Sequence, residues 1–457
     1  MPSKKRYFLD KPPSLVTTIG PSFILLGLAL GSGELILWPY LAANYGLGLL
    51  WGALLGITFQ FVLNTEVMRY SLAKGESVFL GFRRISVYIT LWYIVSTFIP
   101  WSIPGFSSAA AEILSSLFPI LPEKLAAVAL LLVTGGILTM GSSLYKTMEQ
   151  LQKTIILLGL PLMFGITFFM SESIHWQEVM WGLVGRGDGW WFFPTGVSIA
   201  SFLGAFAYAG AGGNLNLAQS YYIKEKGFGM GKYAAKISSL FSKETQPVSL
   251  EGHSFSETPK NKERWQAWWK LVNTEHFIVF ALLGLVTIIG MSVLARATVY
   301  GATVESGLSF VYLEAAVITE RLGSVFGLLF LVVAALMLFS TQLGVMESSA
   351  RIISENLILL RYKKGKKVHA SLGFYSVLWA QIVLGIAIYV WGIQEPRMLL
   401  LISALLNAAA MMVSFLFVYY LNKKTLASYM QPTKLRVILM ASAFLFFLYF
   451  LVQTLLS

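Results

Sequence analysis

Residues 29–35 read ALGSGEL, and residues 208–216 read YAGAGGNLN. Each stretch lies near the middle of a long apolar segment, and they contain two and three glycines respectively. A glycine inside a helix costs about 1 kcal/mol, so both stretches predict a local break in a helix. A break within a bilayer leaves backbone groups unpaired, which is tolerated only where they line a cavity or are buried in protein. The sequence therefore predicts two interrupted helices.

The composition is that of a membrane protein. Of the 457 residues, 56% are hydrophobic and 12% are charged, which is about half the charged share of a soluble domain. These values exclude a soluble globular enzyme, a disordered chain and a collagen-like fibre. Cysteine is absent and histidine occurs four times, so neither a disulfide framework nor an obvious zinc site is expected. No nucleophile–base pair or phosphate loop stands out, so we expect neither an enzyme nor a cofactor.

Eleven apolar segments are long enough to cross a bilayer as helices. Segments such as residues 326–338 are apolar on every face, whereas the strands of a membrane barrel alternate. The predicted fold class is therefore an all-α polytopic membrane protein with eleven transmembrane helices. The predicted spans lie at about residues 15–46, 47–72, 86–118, 123–143, 150–171, 191–223, 271–296, 322–350, 370–392, 396–421 and 434–456.

The basic residues indicate an orientation. If the N-terminus is cytoplasmic, 29 of the 34 Lys and Arg residues fall in inner segments and five in outer segments. The positive-inside rule then predicts a cytoplasmic N-terminus and an outer C-terminus, in a plasma membrane of bacterial type. The net charge of +12 needs no nucleic-acid partner. The expected partners are the lipid bilayer and a small cation or small-molecule substrate, and no obligate protein partner is evident.

The two interruptions fall in the first and sixth spans, each the first of a block of five. This spacing predicts a five-plus-five inverted repeat with a substrate site between two broken helices. Residues 1–171 form the N-terminal half, residues 172–421 the C-terminal half, and residues 422–457 add helix 11. The cytoplasmic loop 224–270 is expected to be largely mobile. Close helix packing through small residues is the alternative explanation for the glycines.

Glu34 is the ionisable residue of the first interruption. A charge at the bilayer centre costs at least about 2.5 kcal/mol, so Glu34 should face a partner, water or a bound cation, unless it is a protonated or paired structural residue. Amides in the second interruption suit ion coordination or substrate hydrogen bonds. The predicted substrate-binding residues are Gly31, Ser32, Gly33, Glu34, Gly210, Ala211, Gly212, Gly213, Asn214, Asn216 and Gln342; Glu34 and Asn214 would be the ligands of a metal substrate.

Other polar residues in the spans predict structural roles. Glu66 and Arg69 are three residues apart, and Glu347 and Arg351 are four apart, which are the spacings of ion pairs on one helix face. Pro100 and Pro104 predict a kink in the third span. Asn407 and Gln219 are further polar candidates near the site.

The residues around both interruptions resemble the natural resistance-associated macrophage protein (Nramp) family. The stretch from Gly20 to Glu34, ANYG at 43–46 and LLW at 49–51 resemble the family's first helix and the entry into its second. Asn214-Leu215 followed by Ser220 resembles its sixth helix. The resemblance implies a LeuT-type fold with a cation site between helices 1 and 6, and a divalent metal ion as the substrate.

The departures from the family pattern fall on the metal ligands. The family's Asp-Pro-Gly-Asn motif is replaced by residues 31–34, GSGE, and its Met-Pro-His-Asn motif by residues 211–214, AGGN. One carboxylate with backbone carbonyls would be a hard, oxygen-only site. A divalent cation is thus the first hypothesis. An ion-coupled transporter of a small organic solute, such as an amine or amino acid, is the second, because the smaller residues leave volume. A non-transporting sensor or scaffold is the third, and the lack of a sizeable soluble domain argues against it.

Overall fold

A computed structural model describes residues 7–140, 143–234, 247–302, 308–392 and 396–456, without the side chains of Val16, Ser32 and residues 396–398. In these ranges the chain is helical, and its β-type contacts are three isolated bridges. Ten helices within them are long and apolar enough to cross a membrane. The predicted all-α, polytopic class is therefore confirmed.

The ten long helices overlap ten of the predicted spans, and those of the seventh and eighth spans extend well beyond the predicted bounds. Their bounds are Pro21–Tyr45, Leu47–Lys74, Val87–Leu117, Glu123–Met140, Leu144–Met170, Pro259–Thr298, Ser324–Leu360, Ala370–Val390, Leu399–Thr425 and Lys434–Leu456. The predicted sixth span is divided into the short helices Ile199–Ala207 and Gln219–Lys226, with a 3-10 turn at Gly213–Ala218 between them. Neither piece is long enough to cross a bilayer alone.

Short helices connect the long ones. They are Leu15–Thr18, Val78–Ile85, Ser173–Gly182 and Ser309–Leu322, with 3-10 turns at Gly229–Tyr233 and Ser428–Met430. The third span is also divided, into Val87–Trp101 and Gly105–Leu117. Pro104 has no N–H to continue the first piece and lies at the start of the second, so the predicted kink is confirmed.

Part of the loop 224–270 contacts neighbouring segments. Residues 247–258, here called the inner strap, form the backbone and ring contacts described next. The amide of Val248 donates to the carbonyl of Val368 at 2.9 Å, and the backbone of Gly252 packs against that of Lys74. The buried ring of Phe255 stacks on Trp265. The burial of Phe255 gives this otherwise polar segment an apolar contact with the helices. Residues 235–246 of the same loop lie outside the described ranges.

Both predicted ion pairs are present. Arg69 Nε lies 2.7 Å from Glu66 Oε2, and Arg351 pairs with Glu347. Arg351 also pairs with Glu225, which follows the sixth span. Arg351 and both of its partners are buried, so removing one partner would leave a buried charge uncompensated. These pairs fasten the ends of the spans on the side of loop 224–270.

Candidate functional site

The first span stays helical where a break was predicted. Residues Leu30–Leu37 form a π-helical segment between two α-helical pieces. The Trp38 amide donates to the Gly33 carbonyl, five residues earlier, which is the hydrogen-bond pattern of a π-helix. The prediction of an unwound first helix is therefore wrong. What changes at the glycines is the hydrogen-bond register.

Thr341, on the eighth span, supplies the physical reason for this register change. Its Oγ1 donates to the Gly27 carbonyl at 2.8 Å and accepts from the Gly31 amide at 2.9 Å. These two backbone groups would pair with each other in an uninterrupted α-helix. A side chain that enters the backbone ladder in this way opens the helix locally. Gly31 permits the approach, because a methyl group there would lie 2.7 Å from Thr341 Oγ1.

The sixth span is broken as predicted. Its first helix ends at Ala207, and Gly212 and Gly213 have φ values of +76° and +51°. These values lie in the left-handed region that glycine tolerates best. The chain then enters the 3-10 turn and resumes as a helix at Gln219.

Gln60, on the second span, pairs with the backbone at this break. Its Nε2 donates to the Ala207 carbonyl at 3.1 Å, and its Oε1 accepts from the Gly212 amide at 3.1 Å. Both backbone groups would otherwise be left without a partner at mid-membrane. Gln60 is not among the predicted site residues, although a glutamine in an apolar helix is itself a signal that sequence reasoning could have used.

The two interruptions touch each other. A methyl group at Gly33 would overlap the carbonyl oxygen of Tyr208, at the end of the first helix of the broken span. Gly210 packs in the same way against Gln60, and Gly213 against Asn407 on the tenth span. The glycines in both motifs therefore permit close packing, and neighbouring groups fill the space they leave. These contacts weaken the premise that glycine and alanine, in place of the family's larger ligand residues, leave volume for an organic solute.

Glu34 is fully buried inside this contact region. Neither carboxylate oxygen has a hydrogen-bond partner among the described residues. The side chain approaches the seventh span, where a methyl group at Gly284 would lie 3.4 Å from Oε1. The apolar side chains of Ile57 and Leu26 surround the same point. A carboxylate in such surroundings is costly unless it binds a proton or a cation.

Asn214 lies on the other side of the broken span. Its Nδ2 donates to Ser96 Oγ at 2.8 Å and Thr97 Oγ1 at 2.9 Å, and its Oδ1 accepts from Ser414 Oγ at 3.1 Å. The amide thus joins the third and tenth spans. Asn214 and Glu34 share no hydrogen bond among the described residues, and their joint role as metal ligands stays a prediction. Across the described residues, no group of three His, Cys, Asp or Glu side chains could hold a metal ion.

Asn216 lies closer to the interruption. Its Nδ2 donates to three acceptors: Gln60 Oε1 at 3.1 Å, the Gly213 carbonyl at 3.1 Å and Met411 Sδ at 3.3 Å. Its own Oδ1 is buried and lacks a hydrogen-bond partner in the described ranges. Acceptors therefore outnumber donors around this amide.

Gln342 supports the third span. Its Oε1 accepts from the Ser107 amide at 3.1 Å, in the first turn of the second helix of that span. Asn407 donates to the Tyr208 hydroxyl at 3.2 Å, while its Oδ1 has no hydrogen-bond partner in the part of the chain described. Ala211 is buried in the turn, and the side chain of Ser32 lies outside the described residues.

An aromatic group borders the break. The rings of Trp101 and Tyr208 lie 5.8 Å apart, and Phe106 lies 6.2 Å from Tyr208. Trp101 and Phe106 flank the break in the third span. Such faces can attract an organic cation, and sequence reasoning did not find them because their contact is made in the folded chain only.

The chain is similar to solved transporter structures over nearly its whole length. A variant of the manganese transporter of Eremococcus coleocola matches with a TM-score of 0.69 at 14% identity, covering 99% of this chain and 90% of that one. The same transporter in complex with an aromatic bis-isothiourea compound matches with a TM-score of 0.68 at 14% identity, with the same coverage. No protein-family model and no curated protein sequence matches.

A second kind of transporter is also similar. The nucleobase-cation-symport-1 family transporter Mhp1, in a closed conformation with bromovinylhydantoin bound, matches with a TM-score of 0.56 at 12% identity, covering 97% of this chain and 94% of that one. These neighbours are transporters and not enzymes. Together with the apolar helices they show an integral, multi-pass membrane protein, and the chain has the LeuT-type, Nramp-like fold that its sequence resemblance implied.

Proposed function

We propose that this chain is a secondary transporter that moves a cation across the membrane by alternating access, with a divalent metal ion as the favoured substrate. The observation that carries the proposal is the surplus of buried acceptors where the first and sixth spans meet. Both oxygens of Glu34 and the Oδ1 atoms of Asn216 and Asn407 lack donors among the described residues. A bound cation would satisfy such acceptors, which are costly to bury alone.

The substrate site would combine side chains and backbone. Glu34 is the principal charged group, and Gly31, Gly210 and Ala211 would offer carbonyl oxygens. Asn214 would become a ligand only if its bonds to the third and tenth spans were released, which fits a protein with more than one conformation. Oxygen donors of this kind suit a hard divalent ion.

The same proposal includes the architecture. Counted with its break, the sixth span brings the number of spans to eleven. Residues 1–171 and 172–421 would be the two halves of an inverted repeat, with residues 422–457 outside it. The N-terminus would be cytoplasmic and the C-terminus outside, in a bacterial-type plasma membrane.

An organic amine is the second candidate substrate. The aromatic group of Trp101, Phe106 and Tyr208 beside the break favours it, because such rings bind organic cations. The fold is also shared with a transporter solved with a hydantoin bound. The close packing at Gly33 and Gly210 argues the other way.

Uptake into proteoliposomes tests both candidates. We expect Mn²⁺ or Mg²⁺ flux, and we expect Glu34→Gln to reduce it by at least about tenfold, equivalent to about 1.4 kcal/mol of lost binding or barrier stabilisation. Glu320→Gln, which changes an exposed glutamate, is the matched control. The Glu34→Gln variant should remain folded, because a neutral amide is cheaper to bury than an unpaired carboxylate.

Two outcomes would contradict this assignment. Unchanged metal flux in Glu34→Gln would remove Glu34 from the site. Uptake of labelled amines or amino acids in the absence of any metal flux would favour the second candidate, and Trp101→Leu should then reduce that uptake.

A further inference from the structure

A second cluster of titratable groups lies at the cytoplasmic base of the first span, apart from Glu34. It consists of Ser22, Glu275 and His276, here called the base latch, and all three are buried. Ser22 Oγ lies 2.5 Å from Glu275 Oε2 and 2.7 Å from His276 Nδ1. The Gly20 amide also donates to Glu275 Oε1, at 3.4 Å. The seventh span thus holds the first turn of the first span through these contacts.

Counting hydrogens fixes the direction of the chain of hydrogen bonds. A serine hydroxyl has one hydrogen, and an ionised carboxylate has none. While Glu275 is charged, Ser22 must donate to Glu275. His276 Nδ1 must then carry a hydrogen and donate to Ser22 Oγ. The neutral imidazole consequently has its lone pair on Nε2, which is the atom that can take up a proton.

The surroundings of Nε2 are apolar. The imidazole is stacked between Phe280, with ring centroids 4.6 Å apart, and Phe61, at 5.6 Å. Nε2 is buried and has no hydrogen-bond partner within the described ranges. A proton on Nε2 would place a buried N–H where the described residues offer no acceptor. Protonation therefore disfavours the present position of the first span.

Other contacts hold the same turn from the fifth span. Lys153 Nζ donates to the Ile19 carbonyl at 2.8 Å, and Gly20 packs against the Glu149 carboxylate. Glu149 is itself bridged by Lys153 and Lys226, each at 2.7 Å. This half of the fastening is a network of one buried carboxylate and two partly buried ammonium groups. The imidazole of His276 belongs to the other half, formed with Ser22 and Glu275.

Charged and titratable groups lie beside the latch or are paired in turn with such a neighbour. The fifth span contributes Tyr145, Glu149 and Lys153, and Lys226 follows the broken sixth span. Arg436 on the last helix pairs with Glu66 on the second span, which also pairs with Arg69. On the eighth span, Arg351 pairs with Glu347 and with Glu225. Each acid in this set other than Glu275 has a basic partner. The charge of Glu275 is therefore the one available to balance an imidazolium at His276.

We propose that the base latch is a proton-binding site, and that proton uptake at His276 releases the cytoplasmic end of the first span. A position in which the base has moved away exposes Nε2 to water and binds the proton more tightly. By linkage, protons then favour that position. The inference rests on the proposed transport function and names a proton as the ion that controls inward opening. The chemical step is a protonation: a hydronium ion gives its proton to His276 Nε2 and becomes water, and the proton later returns to water.

Electron–electron distance measurements on the full chain in nanodiscs test the proposal. Because cysteine is absent, spin labels can be placed at Thr17→Cys and Gln150→Cys, two exposed positions at the base of the first span and on the fifth span. On lowering the pH from about 8 to about 5.5, across the usual pKa of histidine, we expect a longer-distance population to grow by up to about tenfold per pH unit.

Two variants decide the outcome. His276→Gln should abolish the pH response, while the matched control His253→Gln, on the inner strap, should retain it. Glu275→Gln removes the charge that balances the imidazolium once the base has moved away. Proton binding to the released position is then weaker, so the midpoint of the pH response should move to lower pH. An unaltered response in His276→Gln, or an unaltered midpoint in Glu275→Gln, would overturn the proposal. Thermal unfolding checks that each variant is folded.

Uptake measurements separate this proposal from the one it rests on. Metal or amine flux combined with a pH response that survives His276→Gln would refute the latch and leave transport standing. A pH response that His276→Gln abolishes, without flux of any tested solute, would support the latch and refute the transport proposal.

Discussion

Gly33 has no room for a side chain, because the Tyr208 carbonyl occupies the place of its Cβ. Gly33→Ala should therefore destabilise the protein by about 1–3 kcal/mol, the usual cost of overpacking. Gly165, on the fifth span, is a matched control, since nothing lies within 4 Å of its Cβ position. Gly165→Ala should stabilise the helix by up to about 1 kcal/mol. Thermal unfolding in detergent compares the two, and equal effects would contradict the close contact of the interruptions.

Residue identity predicted the site only in part. The glycines of residues 210–213 correctly indicated a break, because three of them in four positions weaken a helix in any context. The same reasoning failed for Gly31 and Gly33, whose surroundings include a hydroxyl from another helix. Glu34 was identifiable as an isolated charge in an apolar helix. The partners of Asn214 depend on the packing of three spans and could not be read from spacing.

The eighth span controls the register of the first through Thr341. Thr341→Val keeps the shape of the side chain and removes both hydrogen bonds, which strands the Gly27 carbonyl and the Gly31 amide. We expect a loss of about 1–3 kcal/mol and faster amide exchange in residues 27–35. Thr58→Val is the control, because Thr58 bonds only back to the Leu54 carbonyl of its own helix. Equal exchange in both variants would show that the bridge does not hold the first span.

The inner strap is fastened by Glu251. Its carboxylate accepts from the Tyr362 hydroxyl at 2.6 Å and from the Gly365 amide at 2.7 Å, and these hydrogen bonds hold the pKa of Glu251 below its usual value. A carboxyl whose pKa is lower in the folded state adds stability above its unfolded pKa, about 4.3, and loses it as the pH falls through the folded value. The strap should therefore be protected near neutral pH and detach in acid below about pH 4.

Hydrogen exchange of residues 247–258 measures this attachment. Glu251→Gln should raise exchange near neutral pH and remove its acid dependence, whereas Glu257→Gln, an exposed neighbour, should behave like the parent. An acid response that persists in Glu251→Gln would assign the fastening to another group.

Element boundaries were predictable to different degrees. Apolar length and the prolines of the third span located the long helices well. The seventh span begins at Pro259, about a dozen residues before its predicted start at 271, because its first turns are polar on one side and bury Trp265 and Trp268 on the other. The contacts of the inner strap are tertiary contacts, which composition does not report.

At the scale of the whole molecule, the basic residues predict how the chain lies in the membrane. Thr17→Cys should be labelled by an impermeant maleimide only after the membrane is opened, and Glu320→Cys should be labelled in intact cells. The parent chain gives no background, since it contains no cysteine. Labelling of both positions from the same side would overturn the predicted orientation.

The fold as a whole was the most predictable level. The composition indicated a protein of the lipid bilayer, and the lengths of the apolar segments predicted the helices. The motifs around Glu34 and Asn214 indicated the LeuT-type fold, which the structural neighbours confirm. Substrate chemistry depends on a few side-chain positions, and those differ from the motifs the sequence resembles.

The hydroxyl of Thr341 takes the place of a backbone hydrogen bond inside the first span, so this span does not close its own helix at Gly31. Bending the span there requires either that the eighth span moves with it or that both hydrogen bonds break together. A halfway position would leave two polar backbone groups in hydrocarbon. The first span therefore bends at this joint either together with the eighth span or only after both hydrogen bonds to Thr341 have been lost.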